Sequence, residues 1–347
     1  MANGGAYRQM IGNVLVDSPV ELAKLGFDDY DVQRLVWRML FGSQIRLVSN
    51  CEEIEDWDVE NSTHFNGVEQ TTPSTDYYGG STSLELATGS GITEVGTAVT
   101  MDEEHRPDNE NWDWASFLCF WIHDDTTLRA GTDLIVQIRN AGVWQSVKYV
   151  PTNAAADIFE YKVIDIRDWD RDRVDGFRFV NNRLVASKLC YVDEIIVTDL
   201  VAGRGNGVTI GVGPVRGPVR PYRMETGSIR VGDAVNLENG LATKGVDADV
   251  GIIGLACSNI GGAADEYLTA TDANPKEVWV AAHGSIVIMR NGTTVVSGDN
   301  VVIESGDLTT EVIAAGAEAQ ETFARHVGRG TDTWDDYYKI QKGFAEN

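Results

Sequence analysis

The sequence predicts an all-β protein with a short helical N-terminal region, in which a central jelly-roll β-sandwich precedes a small C-terminal β-barrel or β-clip domain. Three observations carry this prediction. From about residue 46 to residue 200, short alternating apolar runs are separated by polar, glycine-rich turns, with no helical period between them. One such run, SKLCYVDEIIVTD at 187–199, puts Leu189, Tyr191, Ile195 and Val197 on one face and Cys190, Val192 and Ile196 on the other, the pattern of a strand buried on both sides. Further on, IRVGDAVNL at 229–237 is echoed by VVSGDNVVI at 295–303, two strands meeting at a Gly-Asp turn in each case.

Residues 1–45 begin as a glycine-containing arm. Ser18, Pro19 and Glu21 then combine a cap, a first-turn proline and a capping-box glutamate for a short helix ending near Gly26. Asp28 or Asp29 caps a second helix whose apolar residues, Val32, Leu35, Val36, Met39 and Leu40, recur at helical spacing. The sandwich of 46–200 follows, with strands expected at 83–86, 116–123, 133–139, 143–149, 159–164, 176–180 and 189–197. Residues 201–223, with four arginines and three prolines among many glycines, read as a linker suited to an acidic neighbouring surface. The small β-domain occupies 224–330, where the apolar run GIIGLAC at 251–257 reads as a strand buried on both faces. The tail 331–347 carries Trp334, Tyr337, Tyr338 and Phe344 with no core of its own, and is expected to pack on a neighbour.

Composition narrows the function. Lys+Arg is 28 against 53 Asp+Glu, a net charge of -25, which excludes a nucleic-acid groove as the main surface. Only eight of the basic residues are lysine, and an acidic excess with so little lysine is the pattern expected of a protein working in molar salt, where screening lengths fall to about 3 Å. No apolar run is long enough to span a membrane, and the N-terminus lacks a secretory pattern, so the expectation is synthesis in a host cytoplasm without membrane insertion. Cys51, Cys119, Cys190 and Cys257 have no metal-site spacing; a Cys51–Cys190 bridge requires the first and last strands of the sandwich to be neighbours.

No catalytic constellation is legible. The histidines, His64, His105, His123, His283 and His326, make no HExxH, and no serine stands in a GxSxG elbow. His105 sits in a solvated acidic loop with Asp102, Glu103 and Glu104. Asp124 and Asp125, adjacent on an extended chain, point to opposite faces and cannot flank one glycosidic bond. The protein is expected not to be an enzyme.

The succession LVSNCEEIEDW, GGSTSLEL, SFLCFWIHDD, TDLIVQIRNAGVWQSVKY, FEYKVIDIRDW, VDGFRFVNN and LCYVDEIIVTD resembles the jelly-roll carbohydrate-binding modules and their galactose-binding-like relatives. The resemblance implies a structural calcium between Glu52 or Glu53 and Asp193; the other reading of Asp193 is a hydrogen bond from a backbone amide or an arginine. It also implies aromatic platforms for glycan, for which Trp57, Tyr77, Tyr78, Trp112, Trp114, Trp144 and Trp169 are available. Trp112 and Trp114 are the foremost pair, since residues two apart project the same way from an extended chain; core packing is the alternative for any of them.

The motif V-x-G-D-x-V, the Asn239-Gly240 turn, GIIGLAC and VWVAAHGSIVI resemble the small β-domains of tailed-virus capsid decoration and cement proteins. This resemblance implies a virion structural protein: a decoration or turret protein on the capsid surface, bound to the major capsid protein and to copies of itself as a trimer or other ring. With the charge pattern, the host would be halophilic. The alternative is a spike or tail protein that binds host-surface glycan through the jelly roll.

Overall fold

A computed structural model describes residues 9–11, 14–16, 42–53, 56–59, 82–87, 96, 98–124, 129–182, 189–202, 213–245, 252–259, 262–263, 266–290, 299–303, 310–312, 323–328 and 335–341. Among them there are strands and turns and no α-helix. The two helices expected between Ser18 and Leu40 lie outside the described residues. The chain divides into two compact units, Ile45–Asp199 and a second made of Met1–Gln44 with Leu200–Asn347. The second unit begins with a hairpin of β1 (Gln9–Ile11) and β2 (Val14–Val16).

The Ile45–Asp199 unit holds β3 (Ile45–Ser49), β4 (Trp57–Val59), β5 (Leu84–Ala87), β6 (Ala98–Met101), β7 (Phe117–Asp124), β8 (Leu134–Asn140), β9 (Val143–Trp144), β10 (Lys148–Tyr149), β11 (Ile158–Asp165), β12 (Val174–Asn181) and β13 (Leu189–Thr198). They form two antiparallel sheets, a sandwich as the alternating pattern requires. One runs β10-β8-β12-β6-β4, with β9 also on β8. The other runs β11-β7-β13-β3, and β5 shares the far edge of β13, pairing Leu189–Val192 while β3 pairs Ile195–Thr198. The strand read from sequence as buried on both sides is therefore interior, flanked on both edges. Its alternation is broken by a bulge: Asp193 faces Trp121 and Ile196 faces Cys119, with Glu194 at φ 48°. The bulge restarts the alternation, so Val192, Ile195 and Val197 all reach the inter-sheet core.

That core joins Leu118, Phe120 and Ile122 of β7 to Val136 and Ile138 of β8, Phe177 and Phe179 of β12, Val99, Met101 and Trp57. Its rings meet edge-on, as aromatic quadrupoles favour: Phe120 on Phe179 at 5.6 Å and Phe177 on Phe179 at 5.2 Å. All four cysteines are buried and free, and no bridge joins Cys51 to Cys190. Burial, and after it the nearby Asp193 carboxylate, push the Cys51 thiol well above its ordinary value, while burial raises Cys190 to about 12.

Four charges are buried as pairs at one end of the sandwich. Asp124 accepts from Arg129 Nε at 2.7 Å and from Asn153 N at 2.7 Å, while the Arg129 guanidinium also donates to the carbonyls of Val150 and Pro151. Lys162 Nζ bonds Glu160 at 2.8 Å and Thr152 O at 2.9 Å, and the other Glu160 oxygen accepts from Ala154 N. Each partner thus satisfies the backbone of the 150–154 segment as well as a charge, which is what makes burying such groups tolerable.

The second unit continues with β14 (Val201–Ala202), β15 (Gly213–Pro214), β16 (Val219–Met224), β17 (Gly227–Arg230), β18 (Ala234–Glu238), β19 (Leu241–Lys244), β20 (Ile252–Ala256), β21 (Tyr267–Ala270), β22 (Lys276–Ala281), β23 (Ile286–Arg290), β24 (Asn300–Ile303), β25 (Thr310–Val312), β26 (Ala324–His326) and β27 (Asp335–Ile340). One five-stranded sheet runs β16-β22-β20-β18-β19 and curls until β16 approaches β19, with β17 paired to β21 beside it. Its interior holds Met224, Ile229, Val235, Ala256, Leu268, Val278 and Val280, so the expected small barrel has a core of its own. Gly254, at φ 159°, lets β22 come close: a Cβ there would lie 2.0 Å from Ala281 O. A second five-stranded sheet runs β23-β27-β26-β24-β25.

Two expectations are corrected. The described part of the 201–223 segment is no linker, because 213–223 supplies β15 and most of β16, paired along β22 from Val219↔Ala281 to Met224↔Lys276. The tail likewise has a core to join. Its residues 335–340 form β27 in the middle of the second sheet, and Tyr338 is fully buried. Each segment has a distant partner, Val219 on Ala281 and Lys339 on Ile286, which local pattern does not reveal.

Asp124→Ala should lower the stability of the sandwich by about 3–5 kcal/mol, since it strands the Arg129 guanidinium in the interior. Urea unfolding followed by tryptophan fluorescence measures it; a loss under about 1 kcal/mol would show that the pair is solvated.

Candidate functional site

The two outer faces of the sandwich are unlike. On the five-stranded sheet the outward residues of β7, Phe117, Cys119, Trp121 and His123, are as buried as the inward ones. Trp121 packs edge-on to Tyr161 at 4.8 Å, and His123 contacts Phe159 and Tyr191. On the six-stranded sheet the outward positions are mixed: Ala98, Ile135, Gln137 and Val180 are buried, Thr100, Trp144 and Arg178 are half-buried, and Asp58 and Tyr149 are exposed.

The registers arrange these outward residues in rows running across the strands. One row is apolar: Tyr149 of β10, Ile135 of β8, Val180 of β12 and Ala98 of β6 are successive partners. Ile135, Val180 and Ala98 make a small buried floor, and Tyr149, 46% exposed, stands at its end. The next row is polar: Gln137, Arg178, Thr100 and Asp58 are successive partners on β8, β12, β6 and β4. Neighbouring residues in each row are about 4.8 Å apart, so four of them span about 14 Å.

Trp144 closes one end of this surface. The Asn140-Ala141-Gly142-Val143 turn has φ 49° and 82° at its central residues, the two-residue hairpin that sets β9 against Arg139 and Asn140. Arg178 lies over the Trp144 ring with its guanidinium carbon 4.0 Å from the centroid, and Arg139 lies at 5.5 Å. Gln137 Oε1 accepts from Arg178 Nε and Nη2 at 3.2 and 2.9 Å, and Asp175 holds Arg139 at 3.0 Å. Gly176 beneath them leaves the room these side chains need, since a Cβ there would lie 3.1 Å from Arg139 Cβ. The aromatic, the cations and the amide are therefore held in place from below.

Most of the aromatic residues expected as platforms lie elsewhere. Trp112 is 1% exposed, in the sandwich core, with its indole N–H on Glu110 at 2.9 Å. Trp114 packs partly buried against the same core and donates to Asn111 O. The extended geometry that would align the two is absent, because Ala115 N bonds Trp112 O and closes a turn. Arg171 locks that turn, donating to the carbonyls of Trp112, Asp113 and Ala115 and to those of Ile166, Arg167 and Trp169. Trp57 and Trp169 are core residues, and Tyr77 and Tyr78 lie outside the described residues. Of the candidates placed by the structure, Trp144 is on the open face, and Tyr149 joins it. A tyrosine opposite an outward-facing isoleucine becomes visible only with the strand register known.

The three carboxylates implied for calcium do not form one ligand set. Asp193 is buried and accepts from Glu194 N at 2.7 Å, the backbone-amide alternative; Glu52 contacts Thr82 Oγ1 at 3.3 Å, and Glu53 is exposed. Among the described residues no three His, Cys, Asp or Glu side chains stand close enough together to hold one ion.

At the end of β6, Asp102 Oδ1 accepts from Glu104 N, His105 N and His105 Nδ1, and Asp56 lies 3.3 Å from the same ring nitrogen. The Asp102 bond, with Asp56 adding to it, raises the exposed His105 above its ordinary value; desolvation pushes Asp102 up, but the bonds it accepts from His105 and Glu104 together outweigh this and lower it. The histidine's contribution to holding this turn is complete below about pH 6.5 and fades as pH rises through its raised folded value, whereas that of Asp102 fades as pH falls through its lowered one. An NMR titration should place the His105 midpoint above 6.5, and Asp102→Asn should bring it down; an unmoved midpoint would remove the pairing.

No protein-family model matches the chain, and no curated protein matches it. Among solved structures it is similar to a family 11 carbohydrate-binding module from Clostridium thermocellum in complex with a β-1,3-1,4-mixed-linked tetrasaccharide. That likeness has 13% identity and a TM-score of 0.34, and covers 44% of this chain and 94% of the module. A family 30 carbohydrate binding module is similar at 13% identity and a TM-score of 0.35, over 44% of this chain and 98% of its own. With identities and TM-scores this low, the chemistry of the face stands on its own geometry.

Proposed function

We propose that the Ile45–Asp199 unit is a non-catalytic glycan-binding module that lays an extended sugar chain across the outer face of its six-stranded sheet. The observation that carries this reading is the pairing of two rows, one apolar and ending in Tyr149, the other formed by Gln137, Arg178, Thr100 and Asp58. A pyranose ring has an apolar C–H face and a rim of hydroxyls. A surface that alternates an aromatic and aliphatic strip with a strip of planar donors and acceptors complements both at once. The repeat of the strands makes the face periodic in the direction an oligosaccharide would run.

The chain's net charge of -25 argues against a polyanionic ligand for the protein as a whole, which favours neutral sugars. The virion reading, with a major capsid protein and a ring of copies as partners, is favoured by no specific contact among the described residues. It predicts attachment to a shell without sugar affinity.

Calorimetry with soluble mixed-linkage β-glucan, galactan, xylan and α-glucan tests the proposal. One of them should bind, and Trp144→Ala and Tyr149→Ala should each weaken binding about 3–10-fold, the worth of one aromatic contact. Arg178→Met should weaken it as well. Absence of affinity for all four at about millimolar sugar, with the wild-type protein folded, would overturn it.

A further inference from the structure

On the glycan-binding reading proposed above, we infer that His105, held over the end of a third row of the six-stranded sheet, is a further ligand-binding residue of the same face. In β6 and β4 the core residues Met101 and Trp57 are register partners, and Thr100 and Asp58 beside them point outward. Alternation turns the flanking residues Asp102 and Asp56 outward as well, and Asp102 N donates to Asp56 O at 2.9 Å, one pair beyond the ladder. One pair beyond Arg178↔Thr100, Gly176 comes level with Asp102. Gly176 is partnered by Arg139, and Arg139 by Trp144. The third row therefore opens on an aromatic and a guanidinium and closes on two carboxylates. It lies about 7 Å from the second row, near enough for one sugar ring to touch both.

His105 stands at the carboxylate end. Its Nδ1 lies 2.8 Å from Asp102 Oδ1 and 3.3 Å from Asp56 Oδ1, so both anchor the same edge of the ring. Asp102 Oδ1 also accepts from the amides of Glu104 and His105, which fixes the carboxylate itself. The other ring nitrogen, Nε2, has no hydrogen-bond partner among the described residues, and the side chain is 43% exposed. A hydroxyl of a pyranose seated on Thr100 and Asp58 would find there a polar atom already oriented and still open.

The two carboxylates decide what Nε2 offers. A neutral imidazole keeps its proton on Nδ1, facing Asp102 and Asp56, and Nε2 is then an acceptor. A second proton goes to Nε2 and makes it a charged donor, the stronger partner for a sugar oxygen. Around the ring are Asp102, Glu103, Glu104 and Arg106 of its own turn, Asp56 and Asp58 from the β4 side, and Arg178 of β12 across Thr100. Arg106 is engaged by Glu103 at 3.5 Å. Acidic groups outnumber basic ones, and the Asp102 bond above all raises His105 above its ordinary value. The added affinity is present where the ring is protonated and fades as pH rises through that raised value.

Calorimetry of the full-length protein with soluble mixed-linkage β-glucan, galactan, xylan and α-glucan, at about pH 5.5 and about pH 9, tests this; ordinary carboxylates and guanidiniums keep their charge between those values. The polysaccharide that binds should bind about 3–10-fold more tightly at the lower pH, the difference between a charged and a neutral hydrogen bond. His105→Ala should lose that factor and flatten the profile, and Asp102→Asn should move the inflection to lower pH. Saturating polysaccharide should raise the proton affinity of His105 by the same factor in an NMR titration of the wild type, which a merely structural histidine would not show. A polysaccharide that binds wild type and His105→Ala equally at both pH values would overturn the role of His105 and leave the face standing. Binding of none of the four at either pH would overturn both.

Discussion

Everything proposed for the Ile45–Asp199 unit depends on one packing constraint: β7 is buried on both of its faces. Its inward residues fill the space between the sheets, and its outward residues Phe117, Cys119, Trp121 and His123 are sealed as well. A sandwich has two outer faces, and here one is spent on a second apolar layer. Display then falls to the six-stranded sheet, whose outward positions are free to carry Gln137, Arg178 and Trp144. The asymmetry of burial precedes the site and decides where it can be.

The same unit handles its interior charges by joining them to backbone. Arg129 and Lys162 each bind a carboxylate and one or more carbonyls of the 150–152 segment, just beyond β10 with Tyr149. Arg171 gathers six carbonyls from two loops and so ties those loops together. Guanidinium groups suit this work because their planar array of donors can serve several acceptors without losing charge. In a chain so poor in lysine, the buried Lys162 and the arginines that tie loops together act as structural elements.

The second unit solves a different problem. Two sheets of the same order and register must bury a shared apolar cluster containing Ala234, Leu255 and Ala281 from one and Val287, Val301 and Tyr338 from the other. Matching positions of the two sheets differ in character: Leu255 and Ala281 are buried, whereas Arg325 and Lys339 are exposed.

Several features were legible from the residues alone. Period-two alternation located most of the strands of the sandwich, the apolar runs SKLCYVDEIIVTD and GIIGLAC announced interior strands, and the Gly-Asp echo marked the approach to β18 and to β24. These are properties of neighbours in sequence, and a strand imposes its period on its own side chains whatever lies beside it. The orientation of Trp112 was not legible, because the two-residue rule holds on extended chain and Arg171 bends this stretch into a turn. Nor was the role of 213–223 and 335–340, which pair with the distant β22 and β23. The binding rows were hidden for the same reason: Tyr149, Ile135, Val180 and Ala98 become one strip only when four strands are set in register. Periodicity is local and written in the sequence, while register comes from pairing between distant segments, and only the folded chain decides it.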